Sequence, residues 1–119
     1  SRSIIKDNAY IVMRGELIGK NVSKGHLDCK GLLLSPESRG EAIPAIKSLT
    51  ELTDLTHEAA LGRISWEELE YLMSKGFTEE ETTSLIVRGF LEVGAEKLPK
   101  TLRNYIASIL DVTTKRASG

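Results

Sequence analysis

The hydrophobic period of this 119-residue chain changes once, near Ser65, and that change limits what it can fold into. Before it, apolar β-formers come in brief runs: Ile4-Ile5, Tyr10-Ile11-Val12-Met13, Leu17-Ile18, Leu32-Leu33-Leu34, Ile43 and Ile46. Gly15, Gly19, Gly25, Gly31, Gly40 and Pro36 punctuate these runs, as turn residues punctuate short strands. The glycine spacing is not strict enough to declare a repeat, but it suits the last rungs of a solenoid as well as a small sandwich.

After the change the spacing is helical. Ser65 with Glu68, and Thr78 with Glu81, are capping-box pairs, in which hydroxyl and carboxylate satisfy reciprocal backbone N–H groups. Trp66, Leu69, Leu72 and Met73 share one helical face. Lys75-Gly76 supplies a cationic last turn and a C′ glycine. Leu85, Ile86, Phe90 and Val93 predict the buried side of a second helix. Pro99 suits a first helical position, and Leu102, Tyr105, Ile106, Ile109 and Leu110 stripe a third helix. The polar tail from Thr113 to Gly119 is expected to fray. The order is therefore β first, α last, with three short helices that pack on the β half or present a face to a partner.

Composition excludes several function classes. Sixteen basic and 17 acidic residues give a net charge of −1 with no basic stripe, and aromatics are only 5%, so nucleic-acid binding has no support. No apolar run approaches the roughly 18 to 20 residues of a membrane span. The opening SRSIIKDN carries no hydrophobic signal segment, and a lone Cys suits a reducing interior, so a cytoplasmic location is expected. The chain starts without Met, directly in strand-like text, and reads as a fragment.

Few residues can carry chemistry. His26 and Cys29 have H-x-x-C spacing, a weak metal signal without a second half. By itself Cys29 is more simply a small buried hydrophobe, and His26 a turn or surface residue. His57-Glu58 stands where the β half meets the helices, and its simplest reading is helix entry. The run Gly15-Glu16-Leu17-Ile18-Gly19-Lys20 has three residues between its glycines where a phosphate loop needs four, and Asn21 replaces the magnesium-binding hydroxyl. It predicts no ATP site, and Gly15 and Gly19 read as turn residues. Nothing sets a nucleophile beside a base, so the chain is not expected to be an enzyme.

A resemblance adds to this. GHLDCKGLLLSPESRGEAIPAI (Gly25 to Ile46), THEAALGRIS, EELEYLMSKGF and SLIVRGFL follow one another in the order of the carboxy-terminal text of the SufB/SufD family, scaffold subunits that assemble iron–sulfur clusters. The resemblance implies the last rungs of a right-handed parallel β-helix over residues 1–56 and a small helical carboxy-terminal domain over 57–119. It implies Cys29 as a thiolate ligand of a transient cluster, Glu58 as a carboxylate ligand, and His57 as an interface ligand or proton-handling group. Because Cys29 and Glu58 are both present, the chain resembles the SufB branch, or a single subunit that pairs with itself, more than SufD. A SufC-like ATPase is the implied partner of the helices, and an identical or paralogous scaffold subunit the implied partner of the strands. Two other readings stand beside this one. One is an interaction and dimerisation module in which Cys29 only packs. The other is a mononuclear metal protein using His26, Cys29 and His57.

Overall fold

The computed structural model describes residues 1–118. They form two compact units, one of strands from Ser1 to Arg63 and one of helices from Ile64 onward.

The first unit holds β1 (Arg2–Ile5), β2 (Tyr10–Gly19), β3 (Ser23–Leu33), β4 (Arg39–Ser48) and β5 (Thr53–Arg63). Successive strands alternate between two parallel sheets, ordered β1-β3-β5 and β2-β4. The register offset is 28 residues from Arg2 to Lys30, 29 from Tyr10 to Arg39 and 30 from Ser23 to Thr53. The repeat is structural, but its length drifts by a residue per pairing, which is why no strict period shows in the sequence.

Alternate residues of each strand turn inward between the sheets. Met13 and Ile5 are buried there, and Ser3 Oγ donates to Met13 Sδ at 3.1 Å. The glycines expected in turns lie within the strands instead. A Cβ on Gly15 would stand 2.8 Å from Leu27 Cδ1, and one on Gly40 would stand 2.9 Å from Ile5 Cδ1. These positions let large side chains of the facing sheet reach across a narrow interior; they do not turn the chain. Beyond β3 the Arg63 guanidinium donates to the carbonyls of Ser35, Pro36 (3.2 Å) and Ser38 (3.4 Å), which holds the β3–β4 loop.

The expected boundary after Thr56 falls inside β5, which runs on to Arg63. The segment from His57 to Leu61 is rich in helix formers. It is nonetheless extended, because pairing along the whole of β3 supplies backbone bonds that a short helix could not match.

The second unit holds α1 (Trp66–Ser74), α2 (Glu79–Glu92), a 3₁₀ turn (Ala95–Lys97) and α3 (Lys100–Ser118). Both capping boxes form: Glu68 N donates to Ser65 Oγ at 3.1 Å, and Glu81 N to Thr78 Oγ1 at 3.2 Å, with the reciprocal carboxylate bonds in place. Gly76, with φ +99°, closes α1 in the left-handed conformation that glycine tolerates. Removing the cap hydroxyl in Thr78→Ala is expected to cost about 0.5–2 kcal/mol, read as a lower midpoint in urea unfolding.

The core of this unit is small. Thr82 and Val87 of α2 and Leu110, Thr114 and Ala117 of α3 are buried. Arg88 ties the two helices, donating to Glu92 at 2.7 Å and to Asp111 at 2.6 Å. These bonds, Asp111 first, push its pKa above the usual arginine value. The expected stripes are only partly used: Trp66 is 62% exposed, and Leu85, Val93, Tyr105 and Ile109 are exposed as well. The tail from Thr113 to Ser118 continues α3 where fraying was expected, because Thr114 and Ala117 pack one and two turns beyond Leu110; Gly119 lies outside the described residues.

Candidate functional site

The pairing of β3 with β5 gathers the residues singled out by sequence. Cys29 pairs with Ala59, Asp28 with Glu58, and Leu27 with His57. Groups 28 and 29 residues apart in the chain thus come within two register positions of each other on adjacent strands. Neither residue of the His57-Glu58 pair marks a helix entry; both lie in the middle of β5.

The faces divide them. Registered neighbours in a sheet project to the same side. Leu27 points between the sheets, against Gly15, so Cys29 and His57 belong to the inward face. Cys29 is 1% exposed and is a free thiol, while His57, on the outer strand of the pair, is exposed. Glu58 lies on the opposite, outward face. There Lys30 Nζ meets Glu58 Oε1 at 2.8 Å and Asp28 Oδ1 at 3.7 Å, while Arg2 Nη2 meets Asp28 Oδ2 at 2.9 Å. The four charges alternate in sign across β1, β3 and β5. The hydrogen bond that Lys30 donates to Glu58 pushes the Lys30 pKa above its ordinary value, against some desolvation and with Asp28 adding to the rise.

His26 is likewise on the outward face, exposed, with Nδ1 2.8 Å from Thr56 Oγ1. An H-x-x-C pair within one strand places its members on opposite faces, so His26 and Cys29 do not share a metal, and the mononuclear reading that joins them to His57 is overturned. The spacing would serve only across a turn, and β3 runs unbroken from Ser23 to Leu33.

The fit to the iron-containing cargo that the resemblance implies is partial. Cys29 and His57 share a face and are chemically suited to it, since thiolate takes iron readily and imidazole is a replaceable ligand. Glu58 leaves the same strand on the other side. Among the described residues no three His, Cys, Asp or Glu side chains already form a metal-holding group. Among the described residues β5 pairs with a strand on one side only, so His57 and Glu58 both lie on the outermost strand of that sheet. Lys30 and the charge ladder were not singled out by sequence. The signal that could have exposed them was Lys30 directly after Cys29, at the same offset from Glu58 as Arg2 from Lys30.

On the helices, Phe77, Thr78, Glu80, Glu81, Ser84 and Leu85 line a shallow cleft of about 520 Å³ at the start of α2. No helix among the described residues is long and apolar enough to cross a membrane.

Residues 1–90 match the SufBD core domain of the SUF system for iron–sulfur cluster assembly. A protein of Methanothermobacter thermautotrophicus described as an iron–sulfur cluster assembly SufBD family protein is 46% identical over 117 residues, 97% of this chain and 28% of that protein. One of the same description from Pyrococcus horikoshii is 44% identical over 100 residues, 83% of this chain and 22% of its own length. Another, from Staphylococcus saprophyticus, is 39% identical over 102 residues, with 83% and 22% covered. The chain spans less than a third of the length of these relatives.

Proposed function

The chain belongs to the SufBD family of iron–sulfur cluster assembly proteins, and on that premise we propose that it is part of a scaffold that holds a nascent cluster transiently and passes it on, without being an enzyme itself. The observation that carries the reading is the β3–β5 register, which sets Cys29 on the central strand within two positions of His57 and Glu58 on the outermost strand of the sheet. Cys29 would supply the thiolate and His57 an imidazole on the same face, with Glu58 reaching the cargo around the edge of β5. A mixed set of this kind binds iron less tightly than four thiolates, which suits a protein that must release its cargo.

The two alternating parallel sheets are read as the final rungs of a right-handed parallel β-helix. An open parallel edge invites a second chain, identical or paralogous, so the cargo would sit at a subunit interface. The presence of both Cys29 and Glu58 favours a SufB-like role. Exposed apolar residues of α1, α2 and the connection between them, Trp66, Tyr71, Leu85 and Phe77, are offered as the docking face for a SufC-like ATPase, which would supply the nucleotide site that this chain is read as lacking. A cytoplasmic setting, where thiols stay reduced, completes the proposal.

The test is anaerobic reconstitution with iron and sulfide, followed by visible absorption, on the wild type and Cys29→Ala at equal concentration. Charge-transfer bands present in the wild type and absent from the variant are expected. Bands that survive in Cys29→Ala would sink the assignment of the thiolate. Bands absent from both would favour the second reading, a docking and dimerisation module in which Cys29 only packs. Its burial to 1% exposure is the observation behind that reading.

A further inference from the structure

We infer that Lys30 is a positioning residue that governs when the Glu58 carboxylate is available to the iron cargo, moving from Glu58 to Asp28 when a metal ion arrives. This rests on the reading of Glu58 as a ligand given above.

Three observations on the outward face carry it. First, Lys30 Nζ lies 2.8 Å from Glu58 Oε1, so the proposed ligand oxygen already has a cation on it. A metal ion and an ammonium group at one carboxylate repel each other, and the stronger ligand interaction displaces the weaker. Second, the displaced ammonium has a place to go. Asp28 Oδ1 is 3.7 Å from Lys30 Nζ, is buried, and has no hydrogen-bond partner, while the other oxygen of that carboxylate is held by Arg2 at 2.9 Å. A short swing of the Lys30 side chain gives Asp28 Oδ1 the donor it lacks. Third, the ladder is graded in exposure. The side chains of Arg2, Asp28 and Lys30 are 21%, 26% and 28% exposed, whereas Glu58 at the sheet edge is 55% exposed. Only the end member is placed to meet something arriving from outside.

The exchange balances in charge and bonds. One ammonium–carboxylate pair at Glu58 breaks, a metal–carboxylate bond forms there, and the existing 3.7 Å contact of the ammonium with Asp28 Oδ1 closes to a hydrogen-bonded pair. No charge is left without a partner on the sheet. The reverse swing returns the ammonium to Glu58 and assists release. Lys30 is thereby a device for keeping retention of the cargo weak, and it stands next in the chain to Cys29, on the other face of the same strand.

The experiment measures Fe(II) affinity anaerobically by equilibrium dialysis for the wild type and for Lys30→Gln, Lys30→Arg, Asp28→Asn and Glu58→Gln. Lys30→Gln removes the competing cation and is expected to bind Fe(II) roughly two- to fivefold more tightly, the range that a partly exposed ion pair can contribute. Lys30→Arg keeps the cation and stays near the wild type. Asp28→Asn removes the receiving carboxylate and binds more weakly, which keeps the inference testable if Lys30→Gln folds poorly. In the Glu58→Gln background the Lys30 effect disappears, as a coupled pair requires. Unchanged or weaker binding by Lys30→Gln, with Glu58→Gln still impaired, would overturn the role of Lys30 and leave the scaffold reading intact. Binding insensitive to Glu58→Gln but lost in Cys29→Ala would remove Glu58 and Lys30 together and leave the thiolate. Absence of Fe(II) binding in every variant would overturn both.

Discussion

Val87→Asp is expected to unfold the helical unit while the strands from Arg2 to Arg63 keep their pairing. Val87 is 0% exposed and sits on the face of α2 that carries the buried core of that unit. An aspartate there would bury an ion with no cation among the core residues Thr82, Leu110, Thr114 and Ala117. An uncompensated buried charge costs about 3–5 kcal/mol, a large share of the roughly 5–15 kcal/mol that holds a typical domain together. So small a core has little reserve. Far-UV circular dichroism should show most of the helical signal lost while the β contribution remains. Retention of full helicity would mean that Val87 is not the centre of the unit. Val87→Ala serves as the milder companion, with a partial loss of stability and the helices still formed.

Gly15→Val is the second large effect, and it falls on the strand unit. A Cβ at position 15 would lie 2.8 and 2.9 Å from the two methyls of Leu27 and 3.3 Å from its Cγ. Moving one terminal methyl is not enough; the whole Leu27 side chain must leave its place between the sheets. Overpacking of this kind costs about 1–3 kcal/mol, and the second methyl group of valine puts the cost at the upper end. Unfolding by urea, followed through the β signal, should show the lower midpoint. Leu27→Ala in the same molecule is expected to restore much of the loss, because it vacates the space that the valine needs. A double variant no more stable than Gly15→Val would show that the glycine serves something other than close approach. Because Leu27 neighbours Cys29 on the inward face, the single variant should also disturb the thiol, visible as faster reaction with a thiol reagent.

The same glycine shows where reading the sequence stopped short. Gly15 and Gly19 were placed in turns because glycine punctuates short strands. In the structure they lie in β2, where the missing side chain admits residues of the facing sheet. Which of these two uses a glycine serves depends on what stands opposite, and that residue can be 12 or more positions away. The segment His57–Arg63 failed for a related reason. Its Glu, Ala and Leu favour a helix locally, yet β3 offers it a full register of partners. The helix stripes erred in the other direction. Leu85 and Ile109 have the right spacing but stay exposed, because spacing marks an apolar face and cannot say whether a neighbour covers it.

By itself the sequence determined the order of strands then helices, the starts of α1 and α2 through their capping boxes, the glycine stop at Gly76, and the family to which the chain belongs. Each of those is written in residues within four positions of one another, or in a run of text long enough to compare. Tertiary structure alone decided that Cys29, His57 and Glu58 are neighbours, that Cys29 and His57 share a face while Glu58 does not, and that Lys30 stands between Glu58 and Asp28. Those facts follow from a pairing offset of 30 residues between β3 and β5 and from the two-residue alternation of a strand. A shift of one residue in that register would move every one of these side chains to the other face, and no local feature of the sequence specifies it.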